Sequence, residues 1–248
     1  QFYYFYNYLK NIANPIHLDF YKNHEAIYEM INKLEQYTLC MTNSPGVYLS
    51  CKNLYAETKY LKFALGFHPS DAKLKDKDFR DFLSLARNTN YIGEVGLDFS
   101  GTSAMPKDRQ LVYFERIVSM CAENNKMLSV HLRKSEDEAI QIIKRHNPKK
   151  CIIHWFSGTV TQLNALVELD CYFSINSNMT KTATGCNKIR MIPKKRILIE
   201  SDGPFTKVGT KKFTPELLIQ AYEEISTGIS ESNLIDIVYA NFKEILEA

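Results

Sequence analysis

The feature that most constrains this chain is a series of short apolar runs that each stop at a histidine or a carboxylate. The fullest is Tyr91-Ile92-Gly93-Glu94-Val95-Gly96-Leu97-Asp98-Phe99, which carries Glu94 where the run breaks at Gly96 and adds Asp98 as a second carboxylate. Its two glycines let other backbone or a ligand approach closely. Met127 to Val130 ends at His131, Cys151 to Ile153 at His154, and Leu61 to Phe67 at His68-Pro69. Ile16 leads into His17-Leu18-Asp19, and Arg196 to Glu200 into Ser201-Asp202-Gly203-Pro204. One such run is an ordinary buried strand with an acid turned to solvent. The same ending repeated along the chain is the pattern of a site.

Helical spacing fills the intervals. His24 to Gln36 places Ile27, Met30, Ile31 and Leu34 on one face, and helices are expected over 47–60, 78–87 and 107–123, the last with Pro106 near its first turn. Another is expected over 135–146, opened by a Ser135 cap with Glu138 three residues on. Helices over 159–169, near 188–191, over 215–225 and over 231–246 complete the set. Strands are expected over 14–19 (weak, because of Pro15), 38–42, 61–67, 91–95, 127–132, 151–154, 171–175 and 196–200. About eight strands alternating with helices indicate an α/β fold, a single TIM-type (β/α)8 barrel. An open doubly wound sheet alternates in the same way. The barrel is favoured because a closed ring brings the polar ends of strands one, three, four, five, six and eight to one mouth.

The length of 248 residues suits one large domain or two small ones. Residues 14–248 read as the barrel. Residues 1–13 read as an atypical segment, dense in aromatics from Phe2 to Tyr8, that lacks the basic start and cleavage site of a signal peptide. No apolar run approaches the ~20 residues that span a bilayer. The six cysteines form no CxxC pair, so buried thiols in a reducing cytoplasm are expected. A net charge of +3 permits nucleic-acid binding without arguing for it.

Four of the six histidines, His17, His68, His131 and His154, fall at expected strand ends, whereas His24 and His146 sit in helices and read as surface residues. Imidazole mixed with carboxylate suits Zn²⁺, Mn²⁺, Fe²⁺ or Mg²⁺. A glutamate can bridge two cations ~3.5–4 Å apart, and Glu94 is the candidate bridge. Asp202 is placed to bind metal and to orient or deprotonate an attacking water. Arg133 reads as a phosphate clamp or as an exposed charge at a helix start. Trp155 and Phe156 read as a base-stacking pair or as packing, and Lys207, Lys211 and Lys212 as a contact for a nucleic-acid backbone or a solvated loop. No Walker A loop, GxSxG elbow or cysteine nucleophile beside a base is present.

Gly93-Glu94-Val95-Gly96-Leu97-Asp98, Gly66-Phe67-His68-Pro69, His154-Trp155-Phe156-Ser157-Gly158 and Glu200-Ser201-Asp202-Gly203-Pro204 together resemble the motif set of TatD-type metal-dependent deoxyribonucleases. The set runs in order through roughly Pro15 to Pro204. The wording of His154–Thr159, Glu200–Phe205 and Met127–Arg133 further resembles the TatD-like member of the bacterial Qat anti-phage defence system. The resemblance implies a TIM-barrel hydrolase of DNA phosphodiesters, often a 3′→5′ exonuclease, with one or two divalent metal ions (Mg, Mn or Zn) per chain. It implies Glu94, His131 and His154 at one metal, Glu94 shared with a second held by Asp202 and His17, and His68 near the substrate phosphate. Single-stranded DNA and other Qat defence proteins are the implied partners, and a bacterial cytoplasm the implied location. Pro15 departs from the pattern, standing where the family carries the first histidine of a His-x-His pair. A catalytically impaired subunit of the defence complex, or a hydrolase of small C–N or ester substrates on the same ligands, are the alternative readings.

Overall fold

The computed structural model describes residues 12, 15–71, 74–101, 103 and 105–247; apart from Ile12, the aromatic segment expected over 1–13 lies outside the described residues. In chain order the elements are α1 (His24–Lys33), β1 (Thr38–Cys40), α2 (Pro45–Leu54), β2 (Leu61–Phe63), β3 (Leu65–Phe67), α3 (Asp76–Ala86), β4 (Tyr91–Asp98), α4 (Lys107–Glu123), β5 (Met127–Arg133) and α5 (Glu136–His146). Then follow β6 (Cys151–His154), α6 (Val160–Glu168), β7 (Tyr172–Ile175), α7 (Ala183–Arg190), β8 (Ile197–Ile199), β9 (Lys207–Val208), β10 (Lys211–Lys212), α8 (Leu218–Ile229) and α9 (Leu234–Glu247). Strands β3, β4, β5 and β6 are successive neighbours in one sheet. No described helix is long and apolar enough to cross a membrane. All six cysteines are buried, as expected.

The chain divides into two compact units. The first holds the described residues up to Cys40, with Lys52–Phe63 and Ser174–Glu247; the second holds Met41–Cys51 and Ala64–Phe173. In the second unit β3, β4, β5 and β6 pair in parallel. Every residue of β4 after Tyr91 is buried, as expected of strands covered on both faces. The covering helices follow from their patterns. α4 buries Gln110, Tyr113, Phe114, Ile117, Val118 and Cys121, one stripe at helical spacing. Phe67 meets Phe79, Phe82 and Tyr113 edge to face at 5.2–5.7 Å, a geometry that suits aromatic quadrupoles. α5 carries three acids in its first turn and Lys144, Arg145 and His146 in its last, complementing the helix dipole.

In the first unit β1 pairs with β2 in parallel. α8 buries Leu218, Ala221, Tyr222, Ile225 and Ile229, and α9 buries Leu234, Val238, Asn241 and Ile245. Asn241 is polar inside because its amide donates to Lys194 O and Ile197 O, both at 2.7 Å.

Three expectations are corrected. The strand expected over 14–19 is reduced to Ile16, which bridges Cys40 and Gly203, and is followed by a 3-10 turn at Leu18–Phe20. Pro15 has no N–H to extend a ladder. Its carbonyl instead accepts from Asp202 N at 2.9 Å and Ser201 Oγ at 2.8 Å. The strand expected over 61–67 breaks at Ala64 because its halves pair differently, β2 with β1 and β3 with β4. Ser135 precedes α5 but does not cap it with its side chain. Its hydroxyl donates to Leu97 O at 2.8 Å and accepts from Arg133 N at 3.2 Å, fastening the ends of β4 and β5.

At Gly96 the β5 backbone leaves no room for a side chain. Its φ is +151°, and a Cβ there would lie 1.9 Å from His131 O. Gly96→Ala is expected to cost roughly 3 kcal/mol, lowering Tm by about 6–12 °C in a chain of this size; thermal denaturation followed by circular dichroism checks it.

Candidate metal centre

The site in the second unit starts from an irregularity in β4. Ile92 is opposite Leu128 and Val95 is opposite Val130, so Gly93 and Glu94 together face the single residue Ser129. This is one extra residue, a β-bulge, and bulges re-aim side chains. Its peptide groups are not lost. Glu94 N donates to Thr42 O at 3.0 Å, and Thr42 N donates to Gly93 O at 3.4 Å. Thr42 Oγ1 donates to Ala64 O at 2.8 Å and accepts from Gly66 N at 3.1 Å. Gly66 must be glycine, since a Cβ would sit 1.6 Å from Thr42 O.

Three imidazoles converge on the carboxylate so placed. Glu94 Oε1 lies 3.0 Å from His131 Nδ1, 3.5 Å from His68 Nε2 and 3.7 Å from His154 Nε2. Glu94, His68 and His154 are buried. The ligating atoms of His68, Glu94 and His131 all fall within 4.8 Å of one another, which makes these residues a candidate metal-binding group. The donor chemistry fits a divalent cation: one buried carboxylate oxygen and several imidazole nitrogens on neighbouring strands. His68, expected beside a substrate phosphate, stands within this group, and His154 reaches the same oxygen from the end of β6.

Asp98 is the residue that sequence reasoning noted without giving it a task. It is 3% exposed. Its Oδ1 accepts from Ser100 N at 2.8 Å and from the Ser100 hydroxyl, and its Oδ2 accepts from Ser70 Oγ at 3.3 Å. Gln110 fixes its backbone, accepting from Asp98 N at 2.8 Å and donating to Asp98 O at 3.1 Å. Asp98 Oδ2 lies 3.6 Å from His131 Nε2. His131 is thus held between two acids, with Nδ1 toward Glu94 and Nε2 toward Asp98. Burial opposes a charged ring more than any other influence, but the Asp98 and Glu94 carboxylates beside it together outweigh it and raise its pKa from 6.5 to about 9. At Asp98 burial again acts against the charge, and the neighbouring His131 ring and the bonds from Ser100 overcome it, holding the carboxyl well below the usual range.

In the first unit His17 Nε2 lies 3.4 Å from Asp202 Oδ1, with both residues buried. Two backbone segments are zipped to produce this pair. His17 N donates to Gly203 O at 2.9 Å, and Asp202 N donates to Pro15 O at 2.9 Å. Asp202 adopts φ 44°, and Trp155 in the second unit φ 41°. Non-glycine residues in this region are uncommon, Asp less so than Trp, and concentrate at functional sites. Glu200 is a further buried acid, accepting from the Ser174 hydroxyl and from Asn176 Nδ2 at 2.7 Å. A carboxylate ending an apolar run was its sequence signal. Arg133 is exposed at the end of β5, in register with Asp98. His146 pairs with Glu115 at 3.3 Å and His24 with the Tyr55 hydroxyl, away from these groups in sequence and on helices, as expected.

The family model described as "TatD related DNase" matches residues 14–247. The chain belongs to that family. Its relatives include deoxyribonuclease Tat-D of Schizosaccharomyces pombe, 29% identical over 119 residues that cover 47% of this chain and 38% of that protein. The chain therefore matches less than two fifths of that relative's length. An uncharacterised metal-dependent hydrolase of Methanocaldococcus jannaschii is 25% identical over 231 residues, 90% of either chain. Among solved structures, the Escherichia coli TatD homologue YjjV superposes with a TM-score of 0.82 at 19% identity, covering 97% of this chain and 99% of that one. The fold is that TatD-like α/β fold, a parallel sheet with helices of the TIM-barrel type.

A folded pKa raised above the unfolded value stabilises the protein at low pH, fully so below about 6.5, and the contribution is lost as pH rises through about 9. Metal-free protein in EDTA is therefore expected to lose stability between those values. His131→Asn removes that slope, as chemical denaturation at a series of pH values will show.

Proposed function

We propose that this TatD-family protein is a metal-dependent hydrolase of DNA phosphodiester bonds that works from the 3′ end of single strands. The observation that carries the reading is the convergence of His68, His131 and His154 on the buried Glu94 carboxylate. Glu94, His131 and His154 would hold a divalent cation, with His68 either completing that group or meeting the substrate phosphate. His17 and Asp202 supply a second ligand pair. Bound there, divalent cations would lend Lewis acidity toward a phosphodiester and toward water.

The chain's own groups do the remaining work. Asp98 draws the His131 proton to Nε2, which leaves Nδ1 free on the Glu94 side; such outer carboxylates fix tautomer and ring orientation. Asp202 orients the attacking water and accepts its proton. Arg133, exposed beyond Asp98 and His131, meets phosphate through its planar fork. The divalent metal is Mg, Mn or Zn. The narrower placing in a cytoplasmic anti-phage system beside other Qat proteins is supported by the wording of Met127–Arg133, His154–Thr159 and Glu200–Phe205.

Cleavage of 5′-labelled single-stranded DNA with Mn²⁺ or Mg²⁺ is the test. A ladder is expected that EDTA and Glu94→Ala both abolish, and no cleavage by folded protein under either metal overturns the reading. Asp98→Asn should weaken Mn²⁺ binding about 10–100-fold by calorimetry. Pro15 favours one second reading, an impaired second metal pair. On that reading Pro15→His raises activity and lowers the Mn²⁺ concentration needed for half of it; the metal titration of the variant decides.

A further inference from the structure

Two of the largest exposed apolar side chains of the first unit stand together. Phe20 is 47% exposed and Phe205 is 51% exposed. Their rings meet edge to face at 4.9 Å, and each contacts the His17 ring, at 5.8 and 5.4 Å. An isolated exposed aromatic needs no explanation. A pair lying against a histidine of the candidate site, on two segments far apart in sequence, does.

The pair is rigidly mounted. Phe205 N donates to Asp202 O at 2.8 Å, and the Thr206 hydroxyl donates to Ser201 O. Beside Phe20, the half-buried Tyr21 hydroxyl donates to Phe213 O at 2.8 Å, and Phe213 N donates to Thr206 O at 3.1 Å. Both rings thus hang from the segments that set His17 and Asp202. The same loop then forms the β9–β10 hairpin, where Lys212 is directly opposite Lys207 and Lys211 is opposite Val208. Like charges facing across a ladder are destabilising. All three lysines are exposed, and no described carboxylate lies within ion-pair reach of their ammonium groups. An uncompensated cationic hairpin following an exposed aromatic pair is the combination that tracks a polyanion carrying flat apolar groups.

We infer that Phe20 and Phe205 form a stacking platform for an unpaired nucleobase, with the Lys207–Lys212 hairpin taking the adjoining phosphates of the same strand. This rests on the nuclease reading and adds a base-binding subsite beside His17 and Asp202. Stacking needs the free face of a base, so the platform selects single-stranded over duplex nucleic acid and reads no sequence.

The test is binding in EDTA, where nothing is hydrolysed, of fluorescein-labelled dT12, U12 and a twelve-unit abasic deoxyribose strand, followed by anisotropy. Wild type should hold dT12 at least about tenfold tighter than the abasic strand. Phe205→Leu and Phe20→Leu, which keep apolar bulk, should each lose about five- to a hundredfold toward dT12, while Phe205→Trp binds as well or better. Equal binding of dT12 and U12 assigns the platform to the base alone; a preference between them assigns the discrimination to the 2′-hydroxyl or the thymine methyl, and the stacking stands. Wild type that binds the abasic strand as tightly as dT12, or leucine variants that bind dT12 like wild type, overturn the platform. So does concentration-dependent dimerisation lost in the leucine variants with dT12 binding unchanged, which makes a second copy the occupant. Hydrolysis of bis(p-nitrophenyl) phosphate by wild type with Mn²⁺ tests the underlying phosphodiesterase reading separately, because that substrate has no base.

Discussion

The candidate centre depends on two peptide hydrogen bonds between Thr42 and the Gly93–Glu94 bulge. A regular β4 would keep the side-chain alternation of a strand whose two faces are both buried. The extra residue breaks that alternation and aims Glu94 at the histidines. Buried peptide groups without partners are costly, so the bulge persists only because Thr42 takes its N–H and offers its own. Gly66 allows this by bringing no Cβ against the Thr42 carbonyl.

Burying a carboxylate is expensive unless charge and hydrogen bonds compensate. Around Glu94 three imidazoles do so. His131 is itself balanced by Asp98, which is in turn satisfied by Ser70 and Ser100 and fixed at its backbone by Gln110. The polar groups form a connected set, and such sets rigidify when satisfied. A cation held at this candidate group would compete with the proton for the same ring, so the arrangement that holds His131 charged in the free protein would also make cation binding proton-coupled.

The first unit reaches a comparable result by another route. A proline-started segment cannot make a long strand, and it contributes only the Ile16 bridges and carbonyl contacts. Those few bonds suffice to set His17 against Asp202. The positive φ at Asp202 is tolerated because its backbone N–H and C=O are both engaged, with Pro15 and with Phe205.

The sequence by itself determined the alternation of strands and helices, because apolar runs of three to eight residues and stripes at helical spacing are local properties. It also marked the candidate site residues, since His68, Glu94, His131, His154 and Asp202 each end or interrupt such a run. Only the tertiary structure decided where the run over 61–67 breaks, since that depends on which neighbour each half pairs with. The same holds for Ser135, a cap by local pattern and a strand fastener in fact, because Leu97 O competes for its hydroxyl. The bulge at Glu94, the hold of Asp98 on His131 and the meeting of Phe20 with Phe205 all join residues distant in the chain. Contacts of that kind leave no periodic trace in a single sequence, and packing alone makes them.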